Sequence, residues 1–151
     1  MKLINLRFSD LLTPPELNLR KKLDQAAVDE LAQKYADVDR GRVFFVQSLH
    51  GWVLVDGRAR LAAALQIGLS QDDFEIVGRG SLVEAMALRY RFNSKHGIRL
   101  TGAENRDYIR IVHETAVKAD PKWLRKQTAE LMGISKSLMS QILIYPEGKT
   151  G

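Results

Sequence analysis

Residues 54–68 read LVDGRARLAAALQIG, a strand-like apolar run that breaks at an Asp-Gly pair and continues as an alanine-rich helix pattern. This helix pattern opens with Arg58 and Arg60 and ends at Gly68. The N-terminus of a helix already carries partial positive charge and N–H groups without intrahelical partners, so acidic residues are usually favoured there. Two arginines at this place indicate either a solvated polar face or a bound anion, such as phosphate, that needs both the helix end and the guanidinium groups.

The segments around this stretch alternate between strand and helix patterns. RVFFVQSL (42–49) and WVLV (52–55) are rich in valine and aromatic residues and predict a β-hairpin. DQAAVDELAQKYA (24–36) predicts a helix with an aspartate cap, and DDFEIVG (72–78) predicts another strand. The first half of the chain is therefore predicted to be mixed α and β.

After residue 80 the pattern becomes helical. Residues 81–97 and 101–119 each begin with Ser or Thr followed three positions later by Glu, the spacing of a capping box. Pro121 fits the first position of a further helix. We therefore predict an α+β fold with two domains, a small α/β domain over residues 1–80 and an all-helical domain over residues 81–151.

Composition restricts the function classes. Lys and Arg total 23 against 18 Asp and Glu, and the net charge of +5 favours a polyanionic partner. The chain has no cysteine, which excludes disulfides, thiolate metal sites and cysteine nucleophiles. No apolar run approaches the roughly 18 residues of a membrane span, so no membrane association and a cytoplasmic location are expected. The three histidines lack metal-ligand spacing, and the sequence singles out no catalytic or metal-binding residue.

Residues 126–143, KQTAELMGISKSLMSQIL, carry the most specific pattern. A helix-turn-helix needs a small residue in its first helix and a residue that tolerates left-handed backbone in the turn, and Ala129 and Gly133 meet these needs. The second helix, predicted over 136–144, would direct four polar side chains at a DNA major groove: Lys136, Ser137, Ser140 and Gln141. Arg125 and Lys126 would contact the phosphate backbone. The alternative is a helical hairpin with an ordinary polar face, as in protein-interaction modules.

The order of these segments resembles the ParB-like superfamily, which includes chromosome and plasmid partition proteins and shares its fold with sulfiredoxin. The resemblance extends from about residue 20 to residue 143, and its second half, EAMALRYRFNSKHGIRLT before the helix-turn-helix, is similar to regulators related to StrR, the activator of streptomycin biosynthesis. It implies a DNA-associated partition or transcription-regulatory protein. The partners it implies are double-stranded DNA, a second copy of the chain as a homodimer and a partition ATPase.

The resemblance also implies a nucleotide site. In the partition proteins a Gly-Glu-Arg-Arg-type box binds the triphosphate of CTP, with Mg²⁺ held near a second box, Glu-Asn-x-Gln-Arg. The residues that correspond to these boxes and to an N-terminal arginine of the family are Gly57, Arg58, Arg60, Asn93 and Arg20.

Two positions depart from the family boxes. Arg58 stands in the place of the glutamate of the first box, and Phe92 in that of the second. Hard cations prefer oxygen ligands, so weakened magnesium binding is expected, and nucleotide binding is favoured over hydrolysis. Two alternatives stay open: Arg60 is a structural arginine that pairs with a carboxylate such as Asp56, or the chain is a ParB-fold enzyme, either a weak CTPase or a nuclease.

Overall fold

The computed structural model describes residues 1–17, 23–96 and 101–144, with the side chains of residues 94–96 left out. Within this part of the chain, four strands and six α-helices form: β1 (Leu3–Arg7), α1 (Gln25–Gln33), β2 (Arg42–Val46), β3 (Gly51–Asp56), α2 (Arg58–Gln66), β4 (Gln71–Gly80), α3 (Leu82–His96), α4 (Gly102–Ala119), α5 (Arg125–Met132) and α6 (Lys136–Ile144). The fold is thus mixed α and β, as predicted. None of the helices in the described ranges has the length and apolar character needed to cross a membrane.

The strands form one sheet in the order β1-β4-β2-β3. The predicted hairpin is confirmed, because β2 pairs antiparallel with β3. Strand β4 pairs antiparallel with β1 and parallel with β2, so it lies between the first strand and the hairpin. The register places Arg42, the first residue of β2, opposite Asp56, the last residue of β3. Helix α2, which follows Asp56 after one residue, therefore begins beside the start of β2.

Both faces of the sheet are covered. Successive residues of a strand point to opposite faces, and Val43 and Phe44 belong to different apolar clusters accordingly. The Val43 cluster includes Leu61 of α2. The Phe44 cluster continues from the sheet into the helices after residue 80 and ends on α6, where Met139 and Ile142 are buried. One apolar core therefore joins the sheet to the last two helices.

Two helices begin at the capping boxes read from the sequence. Ser81 Oγ accepts the N–H of Glu84 at 3.1 Å, and the Glu84 carboxylate accepts the N–H of Ser81 at 3.3 Å. The same reciprocal pair joins Thr101 and Glu104 at 3.1 and 2.8 Å. Each pair satisfies two N–H groups at a helix start, which is why α3 and α4 begin where they do.

The helix expected to begin at Pro121 does not form there; α5 begins at Arg125. The Asp120 carboxylate accepts the N–H of Lys122 at 3.0 Å, and its carbonyl accepts the N–H of Trp123 at 2.9 Å. These bonds close a turn through the proline instead of a helix. The prediction was wrong because an Asp before a Pro can form an Asx turn as well as an N-cap.

Candidate functional site

The turn between β3 and α2 depends on a glycine. Gly57 has φ +99°, in the left-handed region that side chains rarely adopt. A Cβ on this residue would lie 2.9 Å from the Cα of Gly41, which is closer than a real contact allows. The turn is therefore packed directly on the backbone that leads into β2, and this packing fixes where α2 begins.

A cavity of about 470 Å³ opens beside this turn, between α1, α2, α3 and the start of β2. Its volume is within the range of small-molecule sites. Four residues that the sequence assigned to a nucleotide site lie together in its lining: Gly57, Arg58, Arg60 and Asn93. The fifth, Arg20, lies outside the described residues.

Arg60 makes hydrogen bonds to other residues of the chain. Its guanidinium donates to the carbonyl of Val38 at 2.8 Å, to that of Tyr35 at 3.4 Å and to the carboxylate of Asp72 at 3.0 Å. It also lies over the Tyr35 ring, 4.1 Å from the centroid, and only 9% of the residue is exposed. Arg60 does pair with a carboxylate, as one reading of the sequence expected, but the partner is Asp72 of β4 and not Asp56. Arg60 anchors α2 to the segment between α1 and β2.

The Tyr35 hydroxyl also donates to Asp72. Burial and this hydrogen bond raise the pKa of Tyr35 to about 12. Burial of Asp72 opposes its ionisation, but the hydrogen bonds from Tyr35, Asp73 and Arg60 outweigh burial and lower the pKa of Asp72. The cluster therefore carries an ionised carboxylate between a neutral phenol and an arginine at neutral pH.

Arg42 holds the carboxylates on the other side of the turn. It donates through Nη1 to Asp56 and through Nε to Glu75 at 3.0 Å, and its guanidinium lies 4.9 Å from the centroid of the Phe92 ring. Asp56 and Glu75 lie on β3 and β4, on the two sides of β2. Sequence reasoning missed Arg42, because its two partners become its neighbours only when the strands pair in this register.

Charged groups of both signs line the cavity. Among the described residues, the cations are Lys34, Arg40, Arg42, Arg58, Arg60 and Arg89, and the carboxylates are Asp24, Glu30, Asp39 and Asp56. Three of those carboxylates are engaged: Asp24 accepts the N–H of Ala26, Glu30 pairs with Lys34, and Asp56 pairs with Arg42. Nowhere in the described ranges do three His, Asp or Glu side chains lie together as metal ligands would. The cations outnumber the carboxylates in this lining, which suits an anionic ligand, and Asp39 is the lining carboxylate outside the pairings just named.

The last two helices form the second candidate site. The predicted span of 136–144 for the second helix is confirmed by α6. Gly133 ends α5 with φ +70°, and Ser135 Oγ accepts the N–H of Leu138 at 3.0 Å where α6 begins. Of the residues predicted to contact DNA, Ser140 is half-buried and the others are exposed: Arg125, Lys126, Lys136, Ser137 and Gln141.

Arg91 holds the end of α5, and sequence reasoning missed it. It donates through Nε to the Leu131 carbonyl at 2.9 Å and through Nη2 to the Glu130 carbonyl at 3.0 Å. A Cβ on Gly133 would meet its guanidinium at 3.2 to 3.3 Å. Since other residues of α3 line the cavity, this one helix contacts both candidate sites.

A polar network joins α4 to the start of α5. Thr128 is fully buried, and its Oγ accepts from the indole Nε1 of Trp123 at 2.7 Å and lies 2.7 Å from Nδ1 of His113. Burial, together with the charge of Arg125, lowers the pKa of His113, so this imidazole is neutral at pH 7.

No protein-family model and no curated protein sequence matches the chain. Solved structures do match. One is the C-terminally truncated chromosome-partitioning protein ParB from Caulobacter crescentus complexed to the centromeric parS site, with a TM-score of 0.54 and 15% identity over 93% of this chain and 70% of that one. Another is the same protein complexed with CTP-gamma-S, with a TM-score of 0.50 and 15% identity over 95% of this chain and 77% of that one. The resemblance found in the sequence is thus confirmed for the fold: the chain has a ParB-like fold.

Proposed function

We propose that the chain binds double-stranded DNA through α5 and α6, as a homodimer that acts in partition or transcription regulation. The observation that carries the proposal is the division of α6 into two faces. Met139 and Ile142 are buried in the common core, whereas Lys136, Ser137 and Gln141 are exposed. This surface occurs on a fold shared with a ParB that was solved on its parS site.

In this proposal α5 and α6 are a helix-turn-helix, and α6 enters the major groove. Lys136 and Gln141 donate to base edges, and the hydroxyls of Ser137 and Ser140 bond to bases or phosphates. Arg125 and Lys126, at the exposed start of α5, contact the DNA backbone. Phosphate contacts of this kind position the protein, and the α6 side chains supply sequence preference.

The second part of the proposal is that the cavity at Gly57 binds a nucleotide, with CTP as the first candidate because a ParB of this fold was solved with CTP-gamma-S. Arg58 and Asn93 contact its phosphates together with the N–H groups at the start of α2. Arg60 keeps α2 in position through its hydrogen bonds to the segment between α1 and β2. Bound nucleotide changes DNA affinity through α3, which contacts both the cavity and the end of α5. A partition ATPase is the further partner if the role is segregation.

Selection of bound duplexes from a random DNA pool, run with and without CTP, tests the proposal. An enriched palindrome supports a dimer that reads sequence, and a change of enrichment with CTP supports the nucleotide switch. Binding without enrichment contradicts sequence reading.

A double variant, Lys136→Glu with Gln141→Ala, tests the role of α6 on the selected duplex. We expect its Kd to rise about 100-fold, because each base contact contributes about 1–3 kcal/mol. The matched control is Lys2→Glu with Gln33→Ala, which changes the same residue types at exposed positions outside α5 and α6. Equal affinity of the two double variants would contradict DNA binding by α6 and would favour the alternative that α5 and α6 form a protein-interaction module.

A further inference from the structure

We infer that the cavity at Gly57 binds the polyphosphate of a nucleotide as the free anion, by direct arginine and N–H contacts and without Mg²⁺. The inference rests on the proposed nucleotide binding and specifies its chemistry. The resemblance to partition proteins implies a magnesium–nucleotide complex, whereas most of the charged side chains that line this cavity are cations.

The carboxylate next to the turn already has a partner. Asp56 immediately precedes Gly57, and it is the lining carboxylate that adjoins the start of α2 in sequence. It is paired with Arg42, which is bonded on its other side to Glu75 and lies against the Phe92 ring. A magnesium ion at the turn would have to draw Asp56 away from this arrangement and leave Arg42 short of a partner.

Three further carboxylates line the cavity. Asp24 and Glu30, at the cap of α1 and in α1, are already engaged, which leaves Asp39. Mg²⁺ demands nearly octahedral oxygen coordination, usually from one or two carboxylates together with waters and substrate phosphates. The described residues contain no group of three potential ligands, so an ion in the cavity would have Asp39 as its available carboxylate and would take most of its oxygen ligands from the nucleotide and water.

Two arginines near the turn can donate to phosphate. Arg58 is the first residue of α2, and Arg40 lies one residue before the glycine on which the turn packs. Guanidinium groups bind phosphate oxygens in bidentate pairs, and the first N–H groups of a helix favour an anion at the same place. Magnesium would neutralise part of the phosphate charge that these donors recognise. The ion should therefore compete with the protein for the nucleotide.

Calorimetric titration of CTP into the full chain, once with EDTA and once with millimolar Mg²⁺ at matched ionic strength, tests the inference. We expect the Kd in EDTA to be a few-fold lower than the Kd in Mg²⁺, because the ion competes for the nucleotide, and a lower Kd in Mg²⁺ would contradict the inference. Arg58→Ala should weaken binding by about tenfold in both buffers. The matched control is Arg7→Ala, an exposed arginine of β1 outside the cavity lining, which should bind CTP as the natural chain does. Inorganic tripolyphosphate should compete with CTP in EDTA.

CTP binding that appears only with Mg²⁺ would overturn the inference and leave the proposed nucleotide site intact. Arg58→Glu adds a second arm, because it replaces a phosphate donor with a potential metal ligand. We expect it to abolish binding in EDTA, and unchanged binding of this variant would also overturn the inference. Failure of CTP to bind in either buffer overturns both nucleotide claims, whereas the affinity for the selected duplex, measured on the same sample, decides the DNA-binding function separately.

Discussion

The turns at Gly57 and Gly133 are both left-handed, with φ +99° and +70°, but main chain packs against the first and a side chain packs against the second. A side chain at Gly57 would strike the backbone of Gly41 at 2.9 Å, and a side chain at Gly133 would strike the guanidinium of Arg91 at 3.2 to 3.3 Å. The main chain of Gly41 is fixed next to the sheet, because its carbonyl accepts the N–H of Glu75 at 2.9 Å, whereas an exposed arginine can move aside. The first turn is thus a rigid part of the cavity lining, whereas the second turn can shift if the side chain of Arg91 moves.

One arginine lies beside each turn, and the two arginines differ in burial and in the number of groups they bond. Arg60 is buried behind the first turn with three acceptors, whereas Arg91 is exposed beside the second and bonds two carbonyls. An arginine of a family box can thus be held by the protein itself, while an arginine outside any motif bonds the helix end beside a turn. Substitutions at these four positions should separate the two cases.

The largest effect is expected at Arg60. Replacement by Ala leaves Asp72 without its cation and two carbonyls without a donor, so we expect a loss of about 3 kcal/mol in the free energy of unfolding. Urea denaturation without nucleotide measures this. As a control, Arg79→Ala removes an exposed arginine stacked 5.0 Å from the Phe45 ring centroid and should cost less than about 1 kcal/mol. A stable Arg60→Ala protein that lost only nucleotide binding would make Arg60 a ligand instead.

Alanine at the two turn glycines should give the next largest effects. We expect Gly57→Ala to cost about 2 kcal/mol and Gly133→Ala about 1 kcal/mol in unfolding free energy, because both strain the backbone but only the first also meets main chain. Gly68 provides the control: it has φ +88° with nothing near its Cβ position, so Gly68→Ala measures backbone strain alone. Equal losses at positions 57 and 68 would contradict a packed first turn.

A double-mutant cycle on Arg91 and Gly133 should show a smaller effect. Arg91→Ala removes two charge-assisted hydrogen bonds at an exposed site, for which we expect about 1 kcal/mol. In that background Gly133→Ala should cost less than in the natural chain, because the guanidinium no longer obstructs the new methyl group. Additive losses would show that Arg91 does not hold this turn.

The smallest effect is the pH dependence from His113. Its pKa is lowered in the folded chain, so below about pH 6.5 the unfolded state binds a proton more readily than the folded state. Stability linked to this group is therefore complete above that pH and is lost as the pH falls toward the lowered value. Denaturation midpoints compared at several pH values should show this decline, and His113→Gln should reduce it. An unchanged decline in the variant would assign it to other groups.

Most features that depend on nearby residues were predicted from the sequence, with the helix start at Pro121 as the exception. The hairpin, both capping boxes, the left-handed Gly133 and the span of α6 follow from patterns within a few positions. The cavity residues Gly57, Arg58, Arg60 and Asn93 were also brought together as the family resemblance implied. These agreements concern position, and the roles of the residues in binding remain predictions.

Features that depend on distant residues could not be predicted from one sequence. Arg60 meets Asp72 because β4 returns beside β2 in parallel, and no local pattern encodes that placement. Arg91 meets carbonyls 39 and 40 positions later in the chain. Backbone carbonyls carry no sequence signature, so a side chain that caps a remote helix leaves no motif.

The chain contains two tryptophans, and the fold places one in each compared region. Trp52 lies in the hairpin with its ring 5.2 Å from that of Phe45, whereas Trp123 is bonded to Thr128 at the start of α5. Their indoles are natural fluorophores with different surroundings. Replacing one or the other by phenylalanine would leave a single tryptophan, whose fluorescence could report separately on the sheet beside the cavity or on the helix pair, without any added label.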